Sequence, residues 1–111
     1  MAKPLLGTTW TVTDATGESP FGMNDTLKIT VKSGSSVDVA HFNSVTSRTT
    51  TYTGTHESTR DRVKVERAMD EYWEFMLSSP FSSSSKTTLY GIRWKDSSPD
   101  AMGTWVCDPQ T

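Results

Sequence analysis

The sequence feature that most constrains the fold is the stretch of residues 62–79, RVKVERAMDEYWEFMLSS, which lies between two segments rich in serine and threonine. Its large apolar side chains alternate with polar ones in two runs, and alternation with a period of two is typical of β-strands that bury one face. The alternating apolar residues are Val63, Val65 and Met69 in the first run, and Trp73, Phe75 and Leu77 in the second. A turn near Asp70 and Glu71 would join the two runs, so the stretch predicts a β-hairpin.

The same stretch also fits a helical period. Apolar residues recur at spacings of three and four at Val65, Met69, Tyr72 and Met76. Residues 58–61, Ser-Thr-Arg-Asp, fit a helix capping box. We favour the hairpin because β-branched Val63 and Val65 alternate cleanly, and because most of the remaining chain has the pattern of strands and turns. An α+β fold with a helix near residues 59–78 stays open as the alternative.

Six further segments predict strands, namely residues 5–14, 26–32, 37–42, part of 45–55, 87–95 and 102–107. In the second of these, Leu27, Ile29 and Val31 are expected to point inward. The segment within 45–55 has few bulky apolar side chains and predicts a strand that is half-solvated or lies at a sheet edge. Glycine, proline, asparagine and serine mark turns or loops at 17–24, 33–36 and 96–100, and the serine-rich segment 78–85, which contains Phe81, predicts a loop.

Taken together, the segments predict an all-β protein of about eight antiparallel strands, arranged as an up-and-down meander and closed into a small barrel. Two segments near the chain ends resemble each other, LGTTWTV at residues 6–12 and MGTWVC at residues 102–107. The first and last strands of such a barrel are neighbours, so these two tryptophan-bearing strands are expected to pair.

The length and charge of the chain limit the functions that it can have. A chain of 111 residues predicts one domain, residues 1–111. The 11 basic and 13 acidic residues are dispersed and give a net charge of -2, which disfavours nucleic acid and anionic membranes as partners. Cys107 is the single cysteine and is expected to be a buried apolar residue. The first residues lack the apolar core of a secretion signal, so we predict a cytoplasmic protein, with a processed secreted protein as the alternative.

The early Gly7 and Trp10, the meander and the late Arg93 resemble the calycin barrels, which include lipocalins, fatty-acid-binding proteins and avidins. In that group the first-strand tryptophan packs across one end of the barrel, commonly under an arginine from near the last strand. The spacing here is Gly-x-x-Trp where the lipocalin motif has Gly-x-Trp. The resemblance implies a barrel that binds a small ligand in its interior.

An eight-stranded barrel can hold one small molecule, and aromatic walls suit an apolar or aromatic ligand. The expected ligand-binding residues are Trp73, Tyr90, Trp94, Trp105, Tyr52, His41 and Thr88. In the strand of residues 87–95, Tyr90 and Trp94 share one face and are expected to line the interior. The main functional prediction is therefore a small-molecule binding protein, which needs no cofactor.

Several alternatives remain. An enzyme, such as a cyclase or isomerase, would need Glu66 or Glu74 to face the interior beside Trp73. A metal site is not expected, since His41 and His56 lie far apart in sequence with different neighbours. A self-assembling coat protein would use its basic and threonine-rich faces, and a sugar-binding protein would use exposed aromatic rings. A homo-oligomer is compatible with each of these.

Overall fold

The structure is a computed structural model that describes residues 4–67, 70–77 and 88–110 of the chain. Those residues form eight β-strands, and no helix is found among them. The strands are β1 (Thr9–Gly17), β2 (Thr26–Ser33), β3 (Ser36–Asn43), β4 (Arg48–Glu57), β5 (Arg62–Glu66), β6 (Glu71–Leu77), β7 (Leu89–Lys95) and β8 (Ser98–Pro109). The expectations for Met69 and for the serine-rich loop with Phe81 fall outside the described residues.

The hairpin prediction for the central stretch is confirmed. Strands β5 and β6 pair in antiparallel fashion, with Val63 opposite Phe75 and Val65 opposite Trp73. All four of these side chains are buried, because the two runs present the same face to the core. The helical alternative for this stretch is therefore wrong.

The eight strands form a closed antiparallel barrel in which each strand pairs with the next in sequence and β1 pairs with β8. The β1–β8 ladder begins with Trp10 opposite Pro109 and ends with Gly17 opposite Gly103. It shifts register between Val12 and Asp14, where β1 carries a bulge. The predicted all-β meander and its closure by the first and last strands are both confirmed.

The core lies inside the barrel and follows the predicted alternation. Along β3, for example, Val37, Val39 and His41 are buried, while the residues between them are only partly covered. Buried apolar side chains come from every strand except β4, whose one buried residue is Gly54. The prediction that this segment is half-solvated is thus confirmed.

Two local predictions are wrong. Val31 is 60% exposed although it pairs with fully buried Val37, so its side chain is not part of the core. The turn predicted over residues 96–100 is shorter, since β8 already begins at Ser98 and pairs there with Lys95.

The register defines two ends of the barrel. The upper end holds the β1–β2 loop (residues 18–25) and the β3–β4, β5–β6 and β7–β8 turns. The lower end holds the N-terminal residues 4–8 and the β2–β3 and β4–β5 turns. The described part of the chain has no helix long and apolar enough to cross a membrane.

Candidate functional site

The β1–β2 loop folds into the upper end of the barrel. Its turn is built locally, because the Ser19 hydroxyl accepts from the backbone N–H of Phe21 and donates to the Phe21 carbonyl. The loop is anchored at both ends, where Glu18 N–H donates to the Met102 carbonyl and Asn24 N–H donates to the Val12 carbonyl. Between these anchors the loop carries Phe21 into the core, where the ring is only 2% exposed.

Phe21 is the centre of an aromatic group that we call the Phe21 cluster. The ring centroid of Phe21 lies 4.7 Å from His41, 4.8 Å from Trp105, 5.3 Å from Trp73 and 5.9 Å from Phe75. The first three contacts are edge-to-face, the geometry that aromatic quadrupoles favour. The upper interior of the barrel is therefore occupied by a ring that belongs to a loop rather than to a strand.

Trp105 carries the one buried side-chain nitrogen or oxygen without a hydrogen-bond partner among the described residues. Its side chain is fully buried, and its Nε1 has no hydrogen-bond acceptor. The indole lies flat against Gly91, where a Cβ would come within 1.8 Å of the ring. Leaving a donor buried without a partner costs about 1–3 kcal/mol. A ligand acceptor that reached this N–H would remove that cost.

A buried carboxylate fixes the loop to the sheet. Asp25 Oδ2 accepts from Gly22 N–H at 2.9 Å and lies 2.7 Å from His41 Nε2. Its Oδ1 accepts from both the backbone N–H and the hydroxyl of Ser44. Burial acts to raise the pKa of Asp25, but the hydrogen bonds from Ser44, His41 and Gly22 outweigh it and hold the pKa below its usual value. Asp25 is therefore a carboxylate that binds the loop, β3 and the β3–β4 turn together.

Arg67, Tyr52 and Trp73 form the rim of the upper end above the Phe21 cluster. The Tyr52 ring packs edge-to-face on Trp73 at 4.8 Å. The guanidinium carbon of Arg67 lies 4.6 Å from the Tyr52 ring and 5.0 Å from the Trp73 ring, as in cation–π contacts. Arg67 is exposed, so it separates solvent from the two rings.

Glu71 holds the other side of this rim. It accepts two hydrogen bonds from Arg93, at 3.0 and 2.9 Å, and one from Trp73 Nε1 at 3.1 Å. The hydrogen bonds from Arg93 lower the pKa of Glu71, and the same contact raises the pKa of Arg93. Arg93 also donates to the Glu18 carbonyl at 2.9 Å, which connects the rim to the β1–β2 loop.

Three of the predicted ligand-binding residues lie elsewhere. The expectation that Tyr90 and Trp94 line the interior is wrong, because Leu89 and Gly91 are the buried residues of β7. Tyr90 is 43% exposed on the outer wall. Thr88 lies just before β7 and is half-buried.

Trp94 belongs to a group on the outer wall. It stacks on Tyr72 at 4.7 Å and donates from Nε1 to Glu74 at 2.9 Å. The Lys64 ammonium lies 4.3 Å from the Tyr72 ring. Glu74 also contacts Arg62 and therefore faces away from the core, while Glu66 is exposed. Neither of the two carboxylates proposed for an enzyme lies in the interior.

The remaining predicted residues, Trp73, Trp105, Tyr52 and His41, are brought together at the upper end. Sequence reasoning missed Phe21, Asp25, Arg67 and Glu71. An aromatic residue between Pro20 and Gly22, in a loop whose one other large apolar residue is Met23, is the signal that would have found Phe21.

A half-open groove lies on the outside of the barrel where β4 and β5 meet, with a volume of about 610 Å³. Threonine hydroxyls and charged side chains line it, including Thr53, Thr55, Lys64 and Glu66. It contains none of the aromatic residues of the Phe21 cluster. The described residues also contain no group of histidine, cysteine and acidic side chains that would hold a metal ion.

No family model, curated protein or solved structure matches this chain. The calycin comparison therefore depends on the described geometry alone. Trp10 is buried at the lower end, where its Nε1 donates to the Leu5 carbonyl at 3.3 Å. Arg93 binds Glu71 at the upper end. The tryptophan and arginine that carry the resemblance thus lie at opposite ends of the barrel, unlike their arrangement in calycins.

Proposed function

We propose that this protein binds a small apolar or aromatic molecule with a hydrogen-bond acceptor, held in the upper half of the barrel in place of the Phe21 ring. The supporting observation is the unpartnered indole N–H of Trp105, whose ring packs against Phe21 and Phe75. A ring-sized ligand would replace the contacts of Phe21, and its acceptor would satisfy the Trp105 donor. The rest of the wall would come from Trp73, Phe75 and His41.

The β1–β2 loop has the construction of a lid. Withdrawing Phe21 while Glu18 and Asp25 stay anchored would put few hydrogen bonds at risk, namely the two between Gly22 and Asp25 and the one from the Ser44 hydroxyl to the Met23 carbonyl. The ligand would have to offset the lost Phe21 contacts, so affinity is lower than in an open cavity. A calycin-type role as a carrier fits this arrangement, although the position of Arg93 departs from that group.

Binding is favoured over catalysis because the residues near the Phe21 cluster supply few groups that could act as a nucleophile or a general acid. Burial raises the pKa of Cys107 to about 12, so its thiol is a poor nucleophile. Glu71 is engaged by Arg93 and Trp73 and stays ionised, which does not suit a general acid. The alternative of a barrel enzyme would depend on His41, the imidazole that Asp25 positions beside Phe21.

A matched pair of ligands tests the proposal. Acetophenone and ethylbenzene have nearly the same shape, but only acetophenone has an acceptor. We expect both to shift the amide resonances of Ser19, Phe21, Gly22 and Trp105 in a ¹⁵N–¹H correlation spectrum. Acetophenone should bind about fivefold more tightly, the equivalent of about 1 kcal/mol for one hydrogen bond. The difference is expected to disappear in Trp105→Phe.

Trp94→Phe is the matched control, because Trp94 lies on the outer wall and its Nε1 already has Glu74 as an acceptor. Phe21→Ala removes the occupying ring and is expected to raise the affinity for both ligands at least tenfold. This variant also loses about 3–5 kcal/mol of stability, so Phe21→Leu serves where Phe21→Ala does not fold. The proposal is wrong if neither ligand perturbs these resonances in the wild type and in the folded Phe21 variant.

A further inference from the structure

Arg67 carries a positive charge at the upper end of the barrel that no described carboxylate balances. Arg60, Arg62 and Arg93 each lie beside a carboxylate, at 3.5, 3.5 and 2.9 Å. Among the described residues, the Arg67 guanidinium contacts only the rings of Tyr52 and Trp73. The charge above the Phe21 cluster is therefore available to an anion from outside the protein.

The position of Arg67 is held from two sides. Its backbone N–H donates to the Glu71 carbonyl at 2.8 Å, which fixes the residue at the base of the β5–β6 turn. Its guanidinium carbon lies 4.6 Å from the Tyr52 ring and 5.0 Å from the Trp73 ring. Ring faces attract the charge but supply no oxygen acceptor, so the N–H donors of the guanidinium stay available. Two neighbouring donors match the two oxygens of a carboxylate.

Arg93, the other arginine of the rim, is already engaged. It donates two hydrogen bonds to Glu71, and Glu18 Oε2 lies 3.8 Å from its Nη1. Glu71 also accepts from Trp73 Nε1, so its carboxylate is committed to partners other than Arg67. Arg67 is therefore the rim arginine that can meet the anionic group of a ligand.

One ring separates Arg67 from the place that Phe21 occupies. The Trp73 ring lies 5.0 Å from the guanidinium carbon of Arg67 and 5.3 Å from the ring centroid of Phe21. A phenyl ring with a short side chain that ends in a carboxylate can span two contacts of this length. Its apolar part would lie along Trp73, and its charged end would lie at the rim.

On the basis of the proposed function, we infer that the ligand is an ionised carboxylic acid with an aromatic or aliphatic body. The apolar end takes the place of the Phe21 ring, and the carboxylate is bound by Arg67 at the rim. The acceptor for the Trp105 N–H belongs to the buried end. Burying a charge is costly, and Arg67 is exposed, so an anion bound there stays in contact with water while the apolar body is buried.

Hydrocinnamate and its primary amide are the probes, because they have nearly the same shape and differ in charge. We expect both to shift the amide resonances of Phe21 and Trp105 in a ¹⁵N–¹H correlation spectrum. Hydrocinnamate should bind about tenfold more tightly at low salt, because its hydrogen bonds to Arg67 are charge-assisted. It should also shift the side-chain Nε–H resonance of Arg67. The preference should shrink at high salt, because the contact is exposed to solvent.

Arg67→Gln should bind the two probes with equal affinity, since it removes the charge that distinguishes them. Arg48→Gln is the matched control, because Arg48 is an exposed arginine of β4 that takes no part in the cation–π contacts of the rim. This control should keep the full preference for hydrocinnamate. Far-UV circular dichroism verifies that both variants are folded.

Three results would overturn the inference and leave the proposed function intact. The two probes could shift Phe21 and Trp105 with equal affinity in the wild type. The preference for hydrocinnamate could survive in folded Arg67→Gln. Acetophenone could perturb these resonances while neither probe does. Both proposals fail if none of the four compounds perturbs them in the wild type and in folded Phe21→Leu.

Discussion

Asp25 Oδ2 lies 2.7 Å from His41 Nε2, and the two side chains are only 3% and 8% exposed. The contact joins the β1–β2 loop to the middle of the sheet at the upper end. Asp25 accepts three further hydrogen bonds, so the position of Phe21 in the core depends on a charged carboxylate. This relationship gives the fold a specific sensitivity to acid.

We predict that acid destabilises the protein through Asp25. Its pKa is lowered in the folded state, because its hydrogen bonds outweigh the opposing effect of burial. The stabilisation is therefore present above the ordinary value of 3.8 and is lost as the pH falls below it. Urea titrations at about pH 7 and about pH 3 measure the loss. Asp25→Asn should be less stable at neutral pH and should show a smaller difference between the two conditions; an unchanged difference would contradict the prediction.

Gly91→Ala should be strongly destabilising. A Cβ at this position would lie 1.8 Å from the Trp105 ring, so the indole must move away from its rotamer in a filled core. We expect a loss of about 3 kcal/mol or more in the free energy of unfolding. Gly22→Ala is the matched control, because the nearest atom to its Cβ is 3.7 Å away. Thermal melts followed by near-UV circular dichroism compare the two variants, and equal melting temperatures would show that Trp105 does not depend on Gly91.

Arg93→Gln should weaken the rim of the barrel. It removes the two-bond contact with Glu71 and leaves that carboxylate beside Trp73 without its cation. We expect a loss of about 1–2 kcal/mol at low salt, and a smaller loss at high salt because the pair is partly exposed. Arg48→Gln, on an exposed residue of β4, should have little effect. Chemical denaturation at two ionic strengths tests both statements.

Cys107 should react with thiol reagents only when the barrel opens. Its side chain is fully buried, and burial raises its pKa to about 12, so almost no thiolate is present near neutral pH. Labelling with an aromatic disulfide reagent should follow the rate of unfolding and speed up in urea. Rapid labelling in native buffer would contradict the buried position of this strand.

The sequence predicted those parts of the fold that depend on local periodicity. The alternation of Val63 and Val65 with charged residues was enough to identify β5, and the resemblance of the segments around Trp10 and Trp105 predicted the pairing of β1 with β8. Alternation carries this information because successive side chains of a strand point to opposite faces.

Periodicity did not identify which face of β7 is buried, since both faces carry large side chains. Tyr90, Ile92 and Trp94 are larger than the opposite set, yet Gly91 faces inward because Trp105 on the neighbouring strand fills the space above it. That outcome depends on the volume of a residue on β8, 14 positions away along the chain. The outward position of Glu74 follows from the same register.

By itself the sequence determined the strands, their order and the closed meander, because hydrogen-bonded pairing and alternate burial are repeated locally along the chain. Only the tertiary structure decided that Phe21 occupies the upper interior and that Asp25 meets His41. Those relationships join residues far apart in sequence, and they follow from how volume, charge and register are matched once the barrel has closed.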